Sequence, residues 1–481
     1  MAHPAAGRVG EGRWNRVAEA YGLLIAAGFA FFLAGIPVQV SDSLGNLVTV
    51  QMSSWRELLV GQFWSVAFFR PLLLAQTKAL LDLSGSHYFV AFRAFQIAQV
   101  FLALWLFVRL LRVRSSGDCL AAVIAVTVLA GSHTFAGVIR EAYPINNYLT
   151  VALCCLAALN VLAMDRPRWY TDVLAVACFV LAVGTIETGL IVWGCLFVGR
   201  VAGWRGVSVR AFAAATVLMV GYFAFRFMVL NVGMPNLMER ASGYGFARLE
   251  PAQLTERFGA SPYPFYLYNM ASSVATVLFS EPRAGVWMFA RQLQAGEVEP
   301  WIWINVAAST AATALILWFA VTRRWWSNPR TWTHGQRLVF VAGAVIVANA
   351  CISFPYTKDQ IMSLGGMLFA AALFAAAAER LEAAPRAWFT RVLTAALLCV
   401  VSAAWAWRVV GLQHNLVHTA FTQRNDWAYT DVWIATHPES QRDPVVADIV
   451  NSLSRQALHQ RVPTPGLYRF PLERYFDHHT D

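Results

Sequence analysis

Five polar groups stand where the apolar runs of this chain end or break: Asp42, Arg70-Pro71, Arg140-Glu141, Glu187 and Tyr356-Thr357-Lys358-Asp359. Carboxylates within hydrogen-bond reach of a hydroxyl act as general bases. Arginine meets phosphate oxygens with a planar fork and lysine with a point charge. Acids, arginines and one lysine at the ends of apolar runs are thus the residue types of proton transfer and anion binding. Asp42 and Glu141 are the candidate catalytic acids. Arg70, Arg140 and Lys358 are the candidate anion contacts, and Glu187, Tyr356 and Asp359 serve substrate binding or structure. Each has a plainer reading. Asp42 can solvate a loop, Arg140-Glu141 and Lys358-Asp359 can be structural pairs, and Glu187 can mark a helix break.

The elements that must position these groups are membrane helices. Apolar residues make up 58% of the chain and charged residues only 13%, a composition outside the soluble globular range. The formal charge of +10 comes almost wholly from arginine, since Lys78 and Lys358 are the only lysines. The arginines flank apolar runs, the orientation signal of membrane proteins rather than a nucleic-acid surface. All seven cysteines fall within apolar runs and read as small hydrophobes. No P-loop, dinucleotide glycine set, zinc-protease or serine-hydrolase motif is present.

A spanning helix needs about 20 apolar residues. The runs 17–38, 88–111, 118–138, 145–164, 171–186, 187–201, 209–231, 301–321, 337–354, 360–379 and 389–411 give eleven candidate spans. Every second connection is arginine-rich, which sets the amino terminus in the cytoplasm and the carboxyl terminus outside. Val17–Val40 is followed by no small-residue cleavage site and reads as a retained span. Counting 263–282 as a span would strand Arg323, Arg324 and Arg330 outside, so it is expected to lie in the interface or dip back. The fifth and sixth spans are expected as two short helices meeting at Glu187, inside protein rather than lipid.

The chain thus divides into a transmembrane region, 1–411, with outer loops 39–87 and 232–300, and a small outer region, 412–481, expected to dock on it. In the first outer loop, Ser54-Trp55-Arg56-Glu57 is a helix-capping signature. Trp55, Leu58, Leu59, Phe63 and Val66 recur at helical spacing, which predicts an amphipathic helix over 55–67 on the bilayer. Pro71 suits the first turn of a second helix reaching about Leu83. Two interfacial helices behind a carboxylate make a platform for a lipid-linked substrate.

The order of these groups resembles the GT-C superfamily of polytopic glycosyltransferases, close to the protein O-mannosyltransferases. An acid follows the first span, Phe69-Arg70-Pro71-Leu72 follows the interfacial helix, and Glu141 and Pro144 lie in the turn after the third span. Glu187-Thr188-Gly189 looks like the family's Lys-Glu-Thr-Gly element, and the stretch from Tyr356 to Gly366 like its Arg-Tyr-containing run before a late span. Two departures stand out: Asp42 is followed by Ser43 where many relatives have a second acid, and Ile186 replaces the lysine before the Glu.

The resemblance implies an all-α multi-pass protein of the inner (plasma) membrane. It implies transfer of a sugar from a polyprenyl-phosphate donor to a lipid, glycan or protein acceptor at the outer face, with Asp42 as the base that takes the acceptor proton, Glu141 as the second catalytic acid, and Arg70, Arg140 and Lys358 as contacts to the departing phosphate. A divalent metal stays open as a cofactor, and no nucleic acid is implied. The competing reading is a noncatalytic or transport-type protein of surface-glycan assembly, a flippase or polymerase partner. A membrane acyltransferase would rest on His133 alone.

Overall fold

The computed structural model describes residues 6–40, 42–61, 69–141, 147–231, 251–259, 261, 263–280, 285–354, 360–382, 388–428, 435 and 443–459. Among them every regular element is helical. Apolar runs leave the backbone no partner in lipid but itself, so helices are the elements such a sequence dictates. In chain order the first are α1 (Ala6–Leu33), α2 (Asp42–Met52), α3 (Pro71–Ser84), α4 (Tyr88–Leu111), α5 (Ser116–Ala130) and α6 (His133–Glu141). Next come α7 (Tyr148–Leu162), α8 (Trp169–Thr185), α9 (Ile191–Val201) and α10 (Val209–Ala224). The segment between α10 and the next long helix gives α11 (Pro251–Phe258), α12 (Tyr263–Ala275) and α13 (Gly285–Ala295). The last five are α14 (Pro300–Thr322), α15 (His334–Ile352), α16 (Ser363–Glu382), α17 (Trp388–Ala428) and α18 (Pro444–His459).

Seven of the described helices are long and apolar enough to cross a membrane, or eight if the bent pair α5–α6 is one span. The chain is therefore a multi-pass membrane protein with a bilayer as its surroundings. The eleven runs read from the sequence differ from this in the middle of the chain. There α7, α8 and α9 have 15, 17 and 11 residues, which at the helical rise reach ~22, ~26 and ~16 Å against a hydrocarbon core of ~30 Å. The expected third span is also not straight. It bends by 58° at Gly131-Ser132, a pair of the kind that commonly kinks helices. The bend fits its neighbour: a side chain at Gly131 would begin 2.7 Å from the carbonyl oxygen of Trp405.

The arginine-rich connections gather at one end of the bundle. Arg112 donates to the Ala163 carbonyl, Gly206 N–H to Leu162 at 2.9 Å, and Ser208 N–H to Asp172 at 2.8 Å. His334 bonds the Leu110 carbonyl at 2.8 Å and Arg323 pairs with Glu379. The ends of α4, α7, α9 and α14 and the starts of α8 and α15 thus share one face, as the alternating arginine pattern requires. α16 runs through the centre against α5, α14 and α15, and its side chains from Ser363 to Ala378 are all buried. Five cysteines are buried, but Cys351 and Cys399 lie on the outside of the bundle. An apolar run marks lipid-facing positions as readily as buried ones, because lipid is itself apolar.

Residues 263–280 dip into the bundle and come back. Asn269 on α12 donates to the Phe354 carbonyl at 3.0 Å, just past the end of α15. The chain continues as a π turn over Thr276–Ser280, and the Leu278 carbonyl accepts from Thr313. Thr313 lies thirteen residues into α14, ~20 Å along its axis. By Phe289 on α13 the chain is back near the start of α14, where its ring meets Trp303 at 5.0 Å.

The carboxyl-terminal region is continuous with the last membrane helix. α17 runs 41 residues, so the sequence-based boundary at 412 falls inside it. His414, Asn415 and His418 made this stretch look polar, yet Leu412, Leu416, Val417 and Ala420 are buried. The indole N–H of Trp427 donates to the Val38 carbonyl. α18 lays Val446, Val450, Leu453 and Ala457 on a small core with Leu44 and Leu47 of α2 and Phe92 of α4.

Candidate functional site

At the end of the bundle opposite the arginine-rich connections, three distant segments converge on Glu187. α8 stops at Thr185, Ile186 is extended, and Glu187–Leu190 form one 3₁₀ turn before α9 begins. The glycine within this turn is a packing requirement. A Cβ at Gly189 would sit 2.2 Å from the backbone of Ala182, so the turn folds back on α8 only with glycine there. The break exposes Glu187 inside the protein, where a carboxylate needs partners.

Its partners are two arginines. Arg70 meets Oε2 with Nε at 2.9 Å and Nη2 at 2.7 Å, a two-point contact. Arg226 donates Nη1 to Oε1 at 3.0 Å and to the Tyr222 hydroxyl oxygen, also at 3.0 Å. The three charged side chains are 15–20% exposed. Local sequence explains each placement. Arg70 precedes Pro71, which opens α3 and sets the arginine at its first turn. Arg226 lies on a π turn, Phe225–Val229, that ends α10, and Tyr222 sits one turn earlier on the same face. The Phe69 ring packs on Tyr222 at 5.5 Å and on Phe225 at 5.0 Å, so Phe69-Arg70 is clamped against α10.

Glutamine and threonine side chains support the site from behind. Gln76 of α3 donates to Thr185 at 2.8 Å, Thr150 of α7 donates to Gln76 at 3.2 Å, and Gln99 of α4 donates to Thr150 at 2.8 Å. A second buried relay runs from α4: Arg93 donates to the Pro37 carbonyl and to Gln96, and Gln96 donates to the Ile139 carbonyl. It ties the segment just before Asp42 to the last turn of α6, which carries Arg140 and Glu141.

The structure brings Arg70 and Glu187 into direct contact. Arg140 donates Nη1 to Asn415 of α17 at 3.3 Å. Asp42 is the first residue of α2, a helix where the sequence suggested a loop, and its side chain lies outside the described residues. α2 packs on α3 and α18, and Lys78 ties its end to α3 by donating to the Val50 carbonyl at 3.1 Å. Glu141 closes α6, its side chain likewise outside the described residues. Tyr356, Thr357, Lys358 and Asp359 fall outside them altogether; the 3₁₀ turn that follows, Gln360–Met362, packs on α6.

The platform is described in part. The capping signature is present: Ser54 N–H donates to Glu57 at 2.7 Å and Glu57 N–H to Ser54 Oγ at 3.3 Å. The backbone bond from Ser54, joined by its hydroxyl, holds the Glu57 carboxyl below its ordinary range. The helix it opens is described over 55–61, mostly as a π turn, and 62–68 lie outside the described residues. Met52, Trp55, Val60 and Leu83 are exposed apolar side chains along this platform and α3.

Arg226 and Tyr222 were not singled out by the sequence reading. The available signal was an arginine near the end of the 209–231 run away from Arg210, against the alternation of arginine-rich ends. Together Arg70, Glu187 and Arg226 carry a net charge of +1. Glu187 accepts on both oxygens from guanidinium groups, which makes it an orienter of cations rather than a base. The surplus guanidinium charge is of the sign and donor type that suit an oxyanion. Among the described residues, no group of three His, Cys, Asp or Glu side chains is placed to hold a metal ion.

No protein-family model matches the chain, and no curated protein or solved structure matches it either.

Proposed function

We propose that the chain is a membrane glycosyltransferase of GT-C type that moves a sugar from a polyprenyl-phosphate donor to a lipid, glycan or protein acceptor. In this reading the catalytic end faces the outside of the inner membrane, the amino terminus is cytoplasmic, and eleven segments cross or enter the bilayer. The observation that carries it is the Arg70–Glu187–Arg226 cluster. It puts a net positive charge at the first turn of α3, on the expected interfacial platform, where in this reading a lipid-linked phosphate arrives from the membrane.

The acceptor hydroxyl oxygen attacks the sugar's anomeric carbon, the carbon–phosphate-oxygen bond breaks, and the polyprenyl phosphate leaves. Asp42 takes the acceptor's proton, with Glu141 as the neighbouring acid. Arg70, Arg226 and Lys358 take up charge on the departing phosphate, joined by Arg140 from α6, while Glu187 holds the first two in position. Tyr356 and Asp359 complete the sugar's surroundings. The test is comparison of membrane glycolipids and surface glycans in a deletion strain and its parent. Loss of one sugar from one glycan, restored by the intact gene, is expected; identical glycan profiles would refute the reading.

A further inference from the structure

A separate cavity lies between α6, α14 and α17, lined by His133, Trp301, Asn305, Trp407, Arg408 and Asn415 among others. Helical spacing explains why these residues meet. His133 and Arg140 are seven apart on α6, Trp301, Asn305 and Ser309 recur every four on α14, and Arg408 and Asn415 are seven apart on α17. Each set occupies one face of its helix, and the three faces turn toward one another. The seam is cationic. Arg408 is only 4% exposed, donates Nη1 to Ser309 at 3.0 Å and stacks at 3.8 Å on the Trp405 ring. Arg140 reaches Asn415 at the outer end of the same seam. None of the described residues that line the cavity is acidic.

The cavity volume, about 30 Å³, decides what fits. That is room for about two waters, against several hundred Å³ for a pocket that encloses a sugar-sized ligand. A tetrahedral oxyanion presenting two oxygens replaces two waters and takes donors from a guanidinium and amides. The partly open cavity leaves its remaining substituent outside.

We propose that this three-helix seam is an anion site for a phosphate group, distinct from the Arg70–Glu187–Arg226 cluster, with Arg408 as its charge and Asn305 and Asn415 as its amide donors. The phosphate comes from a free ion or from an anionic lipid headgroup.

The test places a reporter in the cavity. The intact chain with Cys351→Ser, Cys399→Ser and Leu412→Cys is put in phosphatidylcholine nanodiscs and treated with an anionic or a cationic methanethiosulfonate of similar size. The anionic reagent is expected to react at least ~10-fold faster, with the preference abolished by Arg408→Gln. Inorganic phosphate should slow the reaction in a saturable way. Slowing by phosphatidylglycerol nanodiscs without added phosphate identifies a headgroup as the source; slowing by phosphate alone identifies the free ion. Ile304→Cys, a second apolar lining position, repeats the measurement if Leu412→Cys does not fold. No reaction with either reagent, equal rates, or insensitivity to both phosphate and phosphatidylglycerol would overturn the proposal.

Discussion

Arg70 and Glu187 stand 117 positions apart in the chain and 2.7 Å apart in space. The contact joins the first turn of α3 to a break between two helices too short to cross a bilayer. Arg226 completes it from a third segment, so the positions of α3, α8 and α10 at this end are interdependent.

Removing the shared carboxylate should therefore cost more than removing either arginine. Glu187→Gln leaves two partly buried guanidinium groups facing each other, and a loss of about 2–4 kcal/mol is expected. Arg226→Gln leaves the Arg70 pair intact and should cost less. Thermal unfolding in detergent, with the Arg226→Gln/Glu187→Gln double variant closing a cycle, measures this. Strict additivity would show that the two residues are not coupled.

The turn after the break makes a steric prediction. Gly189→Ala drives a methyl into the Ala182 backbone and should lower the yield of folded protein severalfold. Gly221→Ala on α10 meets nothing within 4 Å and should be neutral or mildly stabilising. Monodisperse yield by size-exclusion chromatography compares them; equal yields would mean the turn is not packed as described.

Much of this arrangement was legible in the chain. Pro71 announced the start of α3, Ser54 and Glu57 the cap of the preceding turn, and Glu187 the break. These signals are local, set by a few neighbouring residues. Arg226 and Tyr222 escaped because their role depends on which helix packs beside them. α2 read as a loop since Gly45 and Asn46 are turn residues, although Leu44, Leu47 and Val50 are buried along one side of it. The kink at Gly131 and the extension of α17 beyond 411 follow from contacts with Trp405 and with α1, which spacing alone does not encode.

The dipping segment returns to the side it left. With Cys351 and Cys399 replaced by serine, Arg257→Cys and Arg291→Cys should both be labelled by an impermeant thiol reagent from the outer face. Labelling of one position only would mean that 263–280 crosses the membrane.

The cap at Ser54 makes a pH prediction. Glu57 has a lowered folded-state titration, so its contribution is present above the ordinary carboxylate range and is lost as pH falls through the folded value. Backbone amide protection at 54–58, corrected for the intrinsic pH dependence of exchange, should fall in a step on acidification. In Glu57→Gln, which keeps a capping acceptor, that step should vanish; a step that persisted would place the titrating group elsewhere.

In the proposed reaction the acceptor's proton goes to Asp42, the first residue of α2. The most direct measurement is sugar transferred per folded protein from a supplied polyprenyl-phosphate donor, in wild type and Asp42→Asn. The substitution keeps size and hydrogen bonding but removes the proton acceptor, so transfer should fall ~10²–10⁴-fold with insertion and yield unchanged. Near-wild-type transfer by Asp42→Asn would contradict the assigned base, and absence of transfer by the wild type with every donor would contradict the proposed activity.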